Sequence, residues 1–176
     1  PVAAAAGAAA VARALGGFGP QRRFALAQCT QPWVLWIDAD ERLDERGREA
    51  IARAVEDPGG AAAYRVRRHG FFLGRRIRFC GWQGERVTRL FRRECSRFDD
   101  APVHERLIVD GRTADLEGAL DHHSYTSWSD CTAKLVDYAR RGAERARSRG
   151  RHARALDLLL RPPGRFLRQY VAQLGF

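Results

Sequence analysis

Hydrophobic and polar residues alternate with different periods along the chain, and these periods predict its first elements. A helical segment at about residues 21–28 leads into the apolar stretch WVLWI at residues 33–37, which predicts a buried strand. Further on, apolar residues at helical spacing predict a helix over Glu45–Glu56, which Asp44 can cap. Asp57-Pro58-Gly59-Gly60 then ends this helix.

The middle of the chain has the two-residue period of a sheet. Apolar residues alternate with arginines over residues 64–67, 76–79 and 87–91, as they do in half-buried strands. Asp110-Gly111 separates two further alternating stretches, and this pair predicts a two-residue β-hairpin. We therefore expect a group of short antiparallel strands here.

Helical spacing returns near the C-terminal end. It begins at about Ser127 and is broken at Pro162-Pro163, after which residues 164–174 predict a last amphipathic helix. The order of elements predicts an α/β fold in which the strand at residues 33–37 is of the buried, parallel type and ends in polar residues. Open α/β sheets bind ligands at such strand ends.

Composition narrows the class of protein. The 176 residues suffice for one core, 45% hydrophobic content excludes wholesale disorder, and no apolar run is long enough to cross a membrane. Lys134 is the only lysine among 31 basic residues, and the net charge is +10. Such an arginine-rich surface suits phosphates, anionic lipids and nucleic acid about equally.

The cysteines and the start of the chain bear on compartment and completeness. The four cysteines form no Cys-x-x-Cys pair and no ligand-like spacing with histidine, which predicts reduced thiols in a cytoplasmic protein and no zinc site. The Ala-rich start has no basic leader, so we do not expect a signal peptide. The chain begins with Pro1 and contains no methionine, which suggests a fragment.

Acidic residues follow the predicted strand directly. Asp38 and Asp40 lie two apart on an extended chain, so both carboxylates can point to one side and hold Mg²⁺ or Mn²⁺. The alternative is a strand end followed by helix-capping acids, and Asp44 fits that description. The abrupt change from apolar to acidic residues favours metal or nucleotide binding.

Several motifs occur in an order that resembles the family 2 glycosyltransferases with the GT-A fold, in particular bacterial lipopolysaccharide-core β-glucosyltransferases. They are GGFGPQRRFAL, PWVLWIDADERL, FFLGRRI, GW, RLFRR, PVHERL and LEGALDHHSY. The resemblance implies an unplaced segment at 1–15, a partial GT-A catalytic domain at 16–126 and a C-terminal helical region at 127–176. It also implies that the family's opening strands are missing, with inactivity of the chain alone as one expectation.

The resemblance assigns roles at the acidic turn. Asp40 matches the direct metal ligand, and Asp38 the position that reaches the ribose or supports the metal. Arg22 matches a contact to the diphosphate or the base, although the following Arg23 stands where the family usually has Asn. His122 matches a further metal ligand, the alternative being a structural histidine.

Other matched residues concern the acceptor and the phosphates. Glu105, with His104 beside it in the substrate site, stands where relatives have the catalytic acid and would take the acceptor hydroxyl's proton. The alternative for Glu105 is an ion pair with a neighbouring arginine. Trp82 can stack on a sugar and Arg89 can bind phosphate, the alternatives being core packing and a solvated strand face.

Together these features predict a metal-dependent enzyme that transfers a hexose, with inversion, from a nucleotide-diphosphate sugar to a lipopolysaccharide-core or other cell-envelope glycan. We expect Mg²⁺ or Mn²⁺, a glycan or lipid-linked acceptor, no nucleic acid, and peripheral contact with the cytoplasmic face of the inner membrane. The alternative is a non-catalytic basic binding module or an inactive glycosyltransferase remnant. The membrane contact, for which core packing is the alternative, would use Leu158, Leu159, Leu160, Phe166, Leu167 and Leu174.

Overall fold

The computed structural model describes residues 2–14, 17–82, 84–99, 106–150 and 155–175. The helices are α1 (Val2–Ala5), α2 (Phe18–Gln28), α3 (Glu45–Glu56), α4 (Trp128–Ser148) and α5 (Ala155–Leu167), and a π-helical turn (Arg168–Ala172) continues α5. The strands are β1 (Trp33–Leu35), β2 (Glu41–Leu43), β3 (Ala63–Phe72), β4 (Arg75–Arg76), β5 (Arg86–Arg92), β6 (Ser96–Phe98), β7 (Leu107–Val109) and β8 (Thr113–Tyr125).

One mixed sheet organises the described part of the chain. Its strand order is β1-β5-β3-β8-β2, and the short strand β4 extends β3 as a hairpin. Strands β3 and β8 run parallel, whereas the other pairs are antiparallel. Strands β6 and β7 form a separate two-stranded sheet. The predicted α/β class with C-terminal helices is confirmed.

The strand at residues 33–37 differs from its prediction. In the structure it is β1, at one end of the sheet, and it pairs antiparallel with β5, with Val34 opposite Phe91. The strand ends at Leu35, which is exposed, as is Ile37. The prediction of a buried strand of the parallel type was therefore wrong, because hydrophobicity alone does not specify which strand becomes the neighbour.

Helix α3 is anchored to strand β8 at its first turn. The Asp44 carboxylate accepts hydrogen bonds from the Gly47 N–H at 2.8 Å and from the Ala119 N–H at 2.9 Å. The backbones come so close that a Cβ on Gly118, whose φ is +82°, would lie 2.2 Å from the nitrogen of Gly47. The predicted helix and its cap are confirmed, and Asp44 also joins the helix to the sheet.

The core lies between α3 and one face of the sheet. Its centre is formed by side chains that are almost completely buried, and partly buried residues such as Trp33 and Ile51 pack against it. The buried members are Ala50, Ala54, Ala61, Tyr64, Val66, Leu90, Leu116 and Leu120. Burial of this apolar surface fixes the central strands, which in turn place the residues of the acidic turn.

The predicted hairpin at Asp110-Gly111 is wrong. Strand β7 pairs with β6, whereas β8 pairs with β3 and β2 in the larger sheet. Asp110 donates its N–H to the Cys95 carbonyl and accepts from Arg97, so it extends the pairing of β7 with β6. The Asp-Gly signal correctly marked a turn, but long-range pairing decided which strands it joins.

Helix α4 begins as predicted. The Ser127 hydroxyl caps it by accepting from the Asp130 N–H at 3.1 Å. Lys134 then reaches back to donate to the Ser124 carbonyl, and it lies over the Tyr125 ring. Burial raises the pKa of the Tyr125 phenol.

Helix α5 contains the prolines that were predicted to end a helix. Pro162 and Pro163 lie inside α5, so the predicted break was wrong. Because α5 lies at the surface, water can hydrate the carbonyls that these prolines leave without a donor. No helix among the described residues has the length and apolar character that crossing a membrane requires. The four cysteines, which the structure describes, are free thiols as predicted: Cys29, Cys80, Cys95 and Cys131.

Candidate functional site

Arg89 supplies the positive charge that compensates the acidic turn. It is only 5% exposed, and its Nη2 donates to Asp38 Oδ2 at 2.9 Å and to Glu41 Oε1 at 2.5 Å. The Glu41 side chain is fully buried. Arg89 is therefore buried and paired with two of the acids, so the alternative of a solvated strand face is wrong. Its predicted contact with phosphate stays a prediction.

The turn is further closed by its own hydrogen bonds. Asp38 Oδ1 accepts from the Trp36 indole N–H at 3.2 Å, and the Asp38 backbone N–H donates to Glu41 Oε2 at 3.1 Å. The guanidinium groups of Arg22 and Arg89 both lie over the Trp36 ring, at 4.0 and 4.6 Å. Sequence reasoning missed the roles of Trp36 and Glu41, because neither a tryptophan in an apolar strand nor a further acid in the turn indicated that both would contact Asp38.

Asp40 faces a different neighbour. Its Oδ2 lies 3.3 Å from His122 Nε2, and the two side chains are 43% and 21% exposed. The pairing of β2 with β8 places Glu41 opposite His122, and the Asp40 carbonyl accepts from the His123 N–H at 2.9 Å. The Ser124 hydroxyl lies 3.0 Å from His122 Nδ1. The two predicted metal ligands, 82 residues apart in sequence, are thus neighbours.

The Asp40–His122 pair provides two donors of the types that bind divalent ions. A carboxylate oxygen and an imidazole nitrogen that are partly open to solvent can act as ligands, and Mg²⁺ commonly takes its remaining ligands from water and substrate phosphates. Among the described residues no group of three or more His, Cys, Asp or Glu side chains could hold a metal ion. Metal binding by the pair therefore stays a prediction.

Trp82 is connected to the Asp40–His122 pair through Gly70 of strand β3. Its indole packs on Gly70, where a Cβ would come within 2.2 Å of the ring, and Gly70 is opposite His122 in the β3–β8 pairing. The ring is half-buried and lines two clefts. Gly70 is a residue that sequence reasoning missed, since its only signal was a lone glycine within a strand pattern.

Two predicted site residues, His104 and Glu105, lie outside the described residues. Their assignments to substrate binding and to the catalytic base stay predictions. The described part of the site brings together Asp38, Arg89, Trp36 and Arg22 on one side and Asp40 with His122 on the other.

Sequence comparison finds a glycosyltransferase among the proteins that are similar to this chain. The chain is 32% identical, over 156 residues, to the lipopolysaccharide core biosynthesis glycosyltransferase LpsC of Rhizobium meliloti (strain 1021). The match covers 88% of this chain and 58% of that relative, so the chain spans little more than half of the relative's length. No protein-family model matches the chain. The predicted resemblance to lipopolysaccharide-core glycosyltransferases is confirmed.

Proposed function

We propose that this chain is part of a metal-dependent, inverting family 2 glycosyltransferase of the GT-A type. It would transfer a hexose from a nucleotide-diphosphate sugar to a lipopolysaccharide-core or other cell-envelope glycan. The observation that carries the proposal is the Asp40–His122 pair, open to solvent at an ordered acidic turn. The similarity to LpsC supports the class of reaction and of acceptor.

The carboxylates of the acidic turn would have different roles. Arg89 fixes Asp38 and Glu41, so Asp40 is the acid of the D-A-D motif that is left to face His122. Asp40 and His122 would hold Mg²⁺ or Mn²⁺, which when bound offsets negative charge on the diphosphate leaving group. Because the turn is ordered by its own contacts, little reorganisation is needed when the donor arrives.

The neighbouring residues would bind the rest of the donor. Arg22 lies over Trp36 next to the turn, where it can contact the diphosphate or the base. Asp38 would support the turn and reach the ribose. Glu105 would take the proton of the acceptor hydroxyl as its oxygen attacks the anomeric carbon and the nucleoside diphosphate leaves.

A lipid-linked acceptor would require the protein to approach a membrane surface. The side chains of Leu159, Leu160, Phe166, Leu167 and Leu174 are all exposed, so they do not pack into the described core. A helical segment whose apolar side is exposed suits a bilayer surface, and the net charge of +10 favours an anionic one. We propose that this segment contacts the inner membrane.

Calorimetric titration of UDP into the chain, with and without Mn²⁺, tests the donor site. We expect binding that requires Mn²⁺ and that is lost in Asp40→Asn and in His122→Ala. The matched control is Asp137→Asn, which removes the same charge from the exposed face of α4.

A non-catalytic basic module predicts a different pattern. Its affinity for nucleic acid would fall steeply with salt and would not respond to Mn²⁺ or to Asp40→Asn. Absence of UDP binding, or UDP binding that ignores both the metal and Asp40, would contradict our proposal.

A further inference from the structure

Two clefts that share Trp82 lie beside the candidate donor site. One, of about 320 Å³, is formed by the loop Cys80-Gly81-Trp82 and by the end of α5 with the π-helical turn. The other, of about 300 Å³, is lined by β3 and the segment after β4. Volumes near 300 Å³ are at the small end of those that bind ligands, and suit one or two sugar residues.

The first cleft is held in place by backbone contacts. Cys80 has a left-handed conformation with φ of +62°, and its N–H donates to the Gln173 carbonyl at 2.9 Å. A Cβ on Gly81 would lie 2.9 Å from the Gln173 side chain, so loop and helix end are in close contact. The polar side of the helical segment, with Gln169, therefore faces the loop and the cleft.

Unpaired cations line both clefts. Arg165 and Arg168 line the first, and Arg67, Arg76 and Arg78 line the second. Within the described part of the chain, none of these five guanidinium groups makes an ion pair or a side-chain hydrogen bond. By contrast, Arg68 and His69 in the second cleft are paired with Glu85 and Asp121. Five guanidinium groups without a carboxylate, around one indole, present a positive and partly aromatic surface.

We propose that the clefts around Trp82 bind a sugar that carries a phosphate or a carboxylate. The apolar face of the sugar ring would stack on the indole, and its anionic group would take paired hydrogen bonds from the arginines. A neutral sugar would leave these cations without a counter-charge.

The position of the clefts assigns this site to the acceptor. Trp82 packs on Gly70, whose neighbour across the β3–β8 pair is His122, and His122 contacts Asp40. An anionic acceptor held here would lie next to the proposed donor. The assignment to the acceptor rests on the proposed function, whereas the binding of an acidic sugar does not.

Titration with small sugars tests the proposal directly. Glucose 6-phosphate and glucuronate carry the two anionic groups, and glucose is the neutral control. Binding would be followed by calorimetry and by tryptophan fluorescence. We expect both anionic sugars to bind and glucose to bind at least tenfold more weakly.

Paired substitutions locate the site. Arg165→Gln with Arg168→Gln, and separately Arg76→Gln with Arg78→Gln, should each weaken glucose 6-phosphate binding roughly tenfold. The matched control removes Arg147 and Arg149 at the exposed end of α4 in the same way and should change nothing. Equal effects of cleft and control pairs would overturn the proposal.

The indole can be tested without removing it. Gly70→Ala would place a methyl group against the ring and displace it, and should also weaken glucose 6-phosphate binding. Gly142→Ala, whose Cβ meets nothing within 4 Å, is the control. Unaltered binding in Gly70→Ala and in Trp82→Leu would exclude stacking on the ring.

Two further titrations separate this site from the donor site and from nucleic acid. The Arg165/Arg168 pair of substitutions should leave Mn²⁺-dependent UDP binding unchanged, and Asp40→Asn should leave glucose 6-phosphate binding unchanged. If UDP fails to bind while glucose 6-phosphate binds at the clefts, the donor proposal fails and this site stands. If oligouridine binds at the clefts and neither anionic sugar does, the surface is a nucleic-acid site and this proposal is wrong.

Discussion

Arg89 and Glu41 form a buried ion pair at the centre of the acidic turn, with Arg89 Nη2 2.5 Å from Glu41 Oε1 and no exposed surface on the Glu41 side chain. The contact joins β5 to the first residue of β2, two strands that do not pair with each other. It therefore fixes the turn relative to the sheet. Removing Arg89 leaves the buried Glu41 charge with only Arg68 at 3.9 Å, whereas removing Glu41 leaves Arg89 paired with Asp38 alone.

We predict that Arg89→Gln lowers the free energy of unfolding by about 3 kcal/mol, because the fully buried Glu41 then keeps only Arg68, whose Nη1 lies 3.9 Å from Glu41 Oε1, as a cationic neighbour. Urea denaturation measures this change. The control is Arg97→Gln, which breaks an exposed ion pair with Asp110 and should cost at most about 1 kcal/mol. Equal losses in the two variants would show that the Arg89 pair does not stabilise the fold.

The role of Arg89 could not be predicted from the sequence. The alternation in RLFRR indicated a strand but gave no information on which face of it would be buried. The interpretations available were phosphate binding and a solvated face, whereas the observed partners, Asp38 and Glu41, lie 51 and 48 residues away in the chain. Such a contact depends on the strand order, which a local pattern does not specify.

Asp44 shows the opposite case, because its cap is local. We predict that Asp44→Ala costs about 2–3 kcal/mol, of which about 1–2 kcal/mol is the lost cap and about 1 kcal/mol the unsatisfied N–H of Ala119. Thermal and urea unfolding measure the loss. Asp44→Asn keeps an acceptor oxygen and should lose less than half as much. A full loss in Asp44→Asn would mean that the charge, rather than the hydrogen bonds, matters.

Some elements could be predicted and others could not, because some are specified by neighbouring residues and others by residues far away in the chain. Helix α3 was predicted with its bounds, because its stripe and cap lie within one segment. The strand at residues 33–37 and the turn at Asp110-Gly111 were recognised, but their partners were not, because pairing depends on residues far away. Asp40 and His122 were expected to lie together only through the family resemblance, and the structure places them in contact.

The turn between β3 and β4 contains a strained residue. Leu73 and Gly74 have φ of +48° and +78°, as the central pair of a type I′ turn does, and leucine is unfavourable in this conformation. We predict that Leu73→Asn raises the free energy of unfolding by about 0.5–1 kcal/mol. Leu73→Ala, which keeps the strain, should bring no gain. A stabilised alanine variant would show that the side chain of Leu73, and not its backbone, is unfavourable.

The exposed apolar side of α5 gives the last prediction. Leu156, Leu159 and Leu160 recur at helical spacing with Phe166 further on, and Leu159 is 69% exposed. Arg165 and Arg168 lie on the other side of the helical segment, where they line a cleft. This segment therefore directs its apolar residues to solvent, an arrangement that a lipid surface would stabilise.

We predict that the protein co-sediments with vesicles that contain phosphatidylglycerol and much more weakly with pure phosphatidylcholine, because anionic headgroups attract the net charge of +10. Leu159→Ser with Phe166→Ser should reduce binding roughly tenfold, since the loss of two buried side chains costs at least about 1.4 kcal/mol. The control is Leu135→Ser with Val136→Ser, which changes equally exposed residues on α4. If the α5 variant binds vesicles normally but no longer self-associates in sedimentation velocity, a second copy of the chain, rather than a bilayer, covers this side of α5.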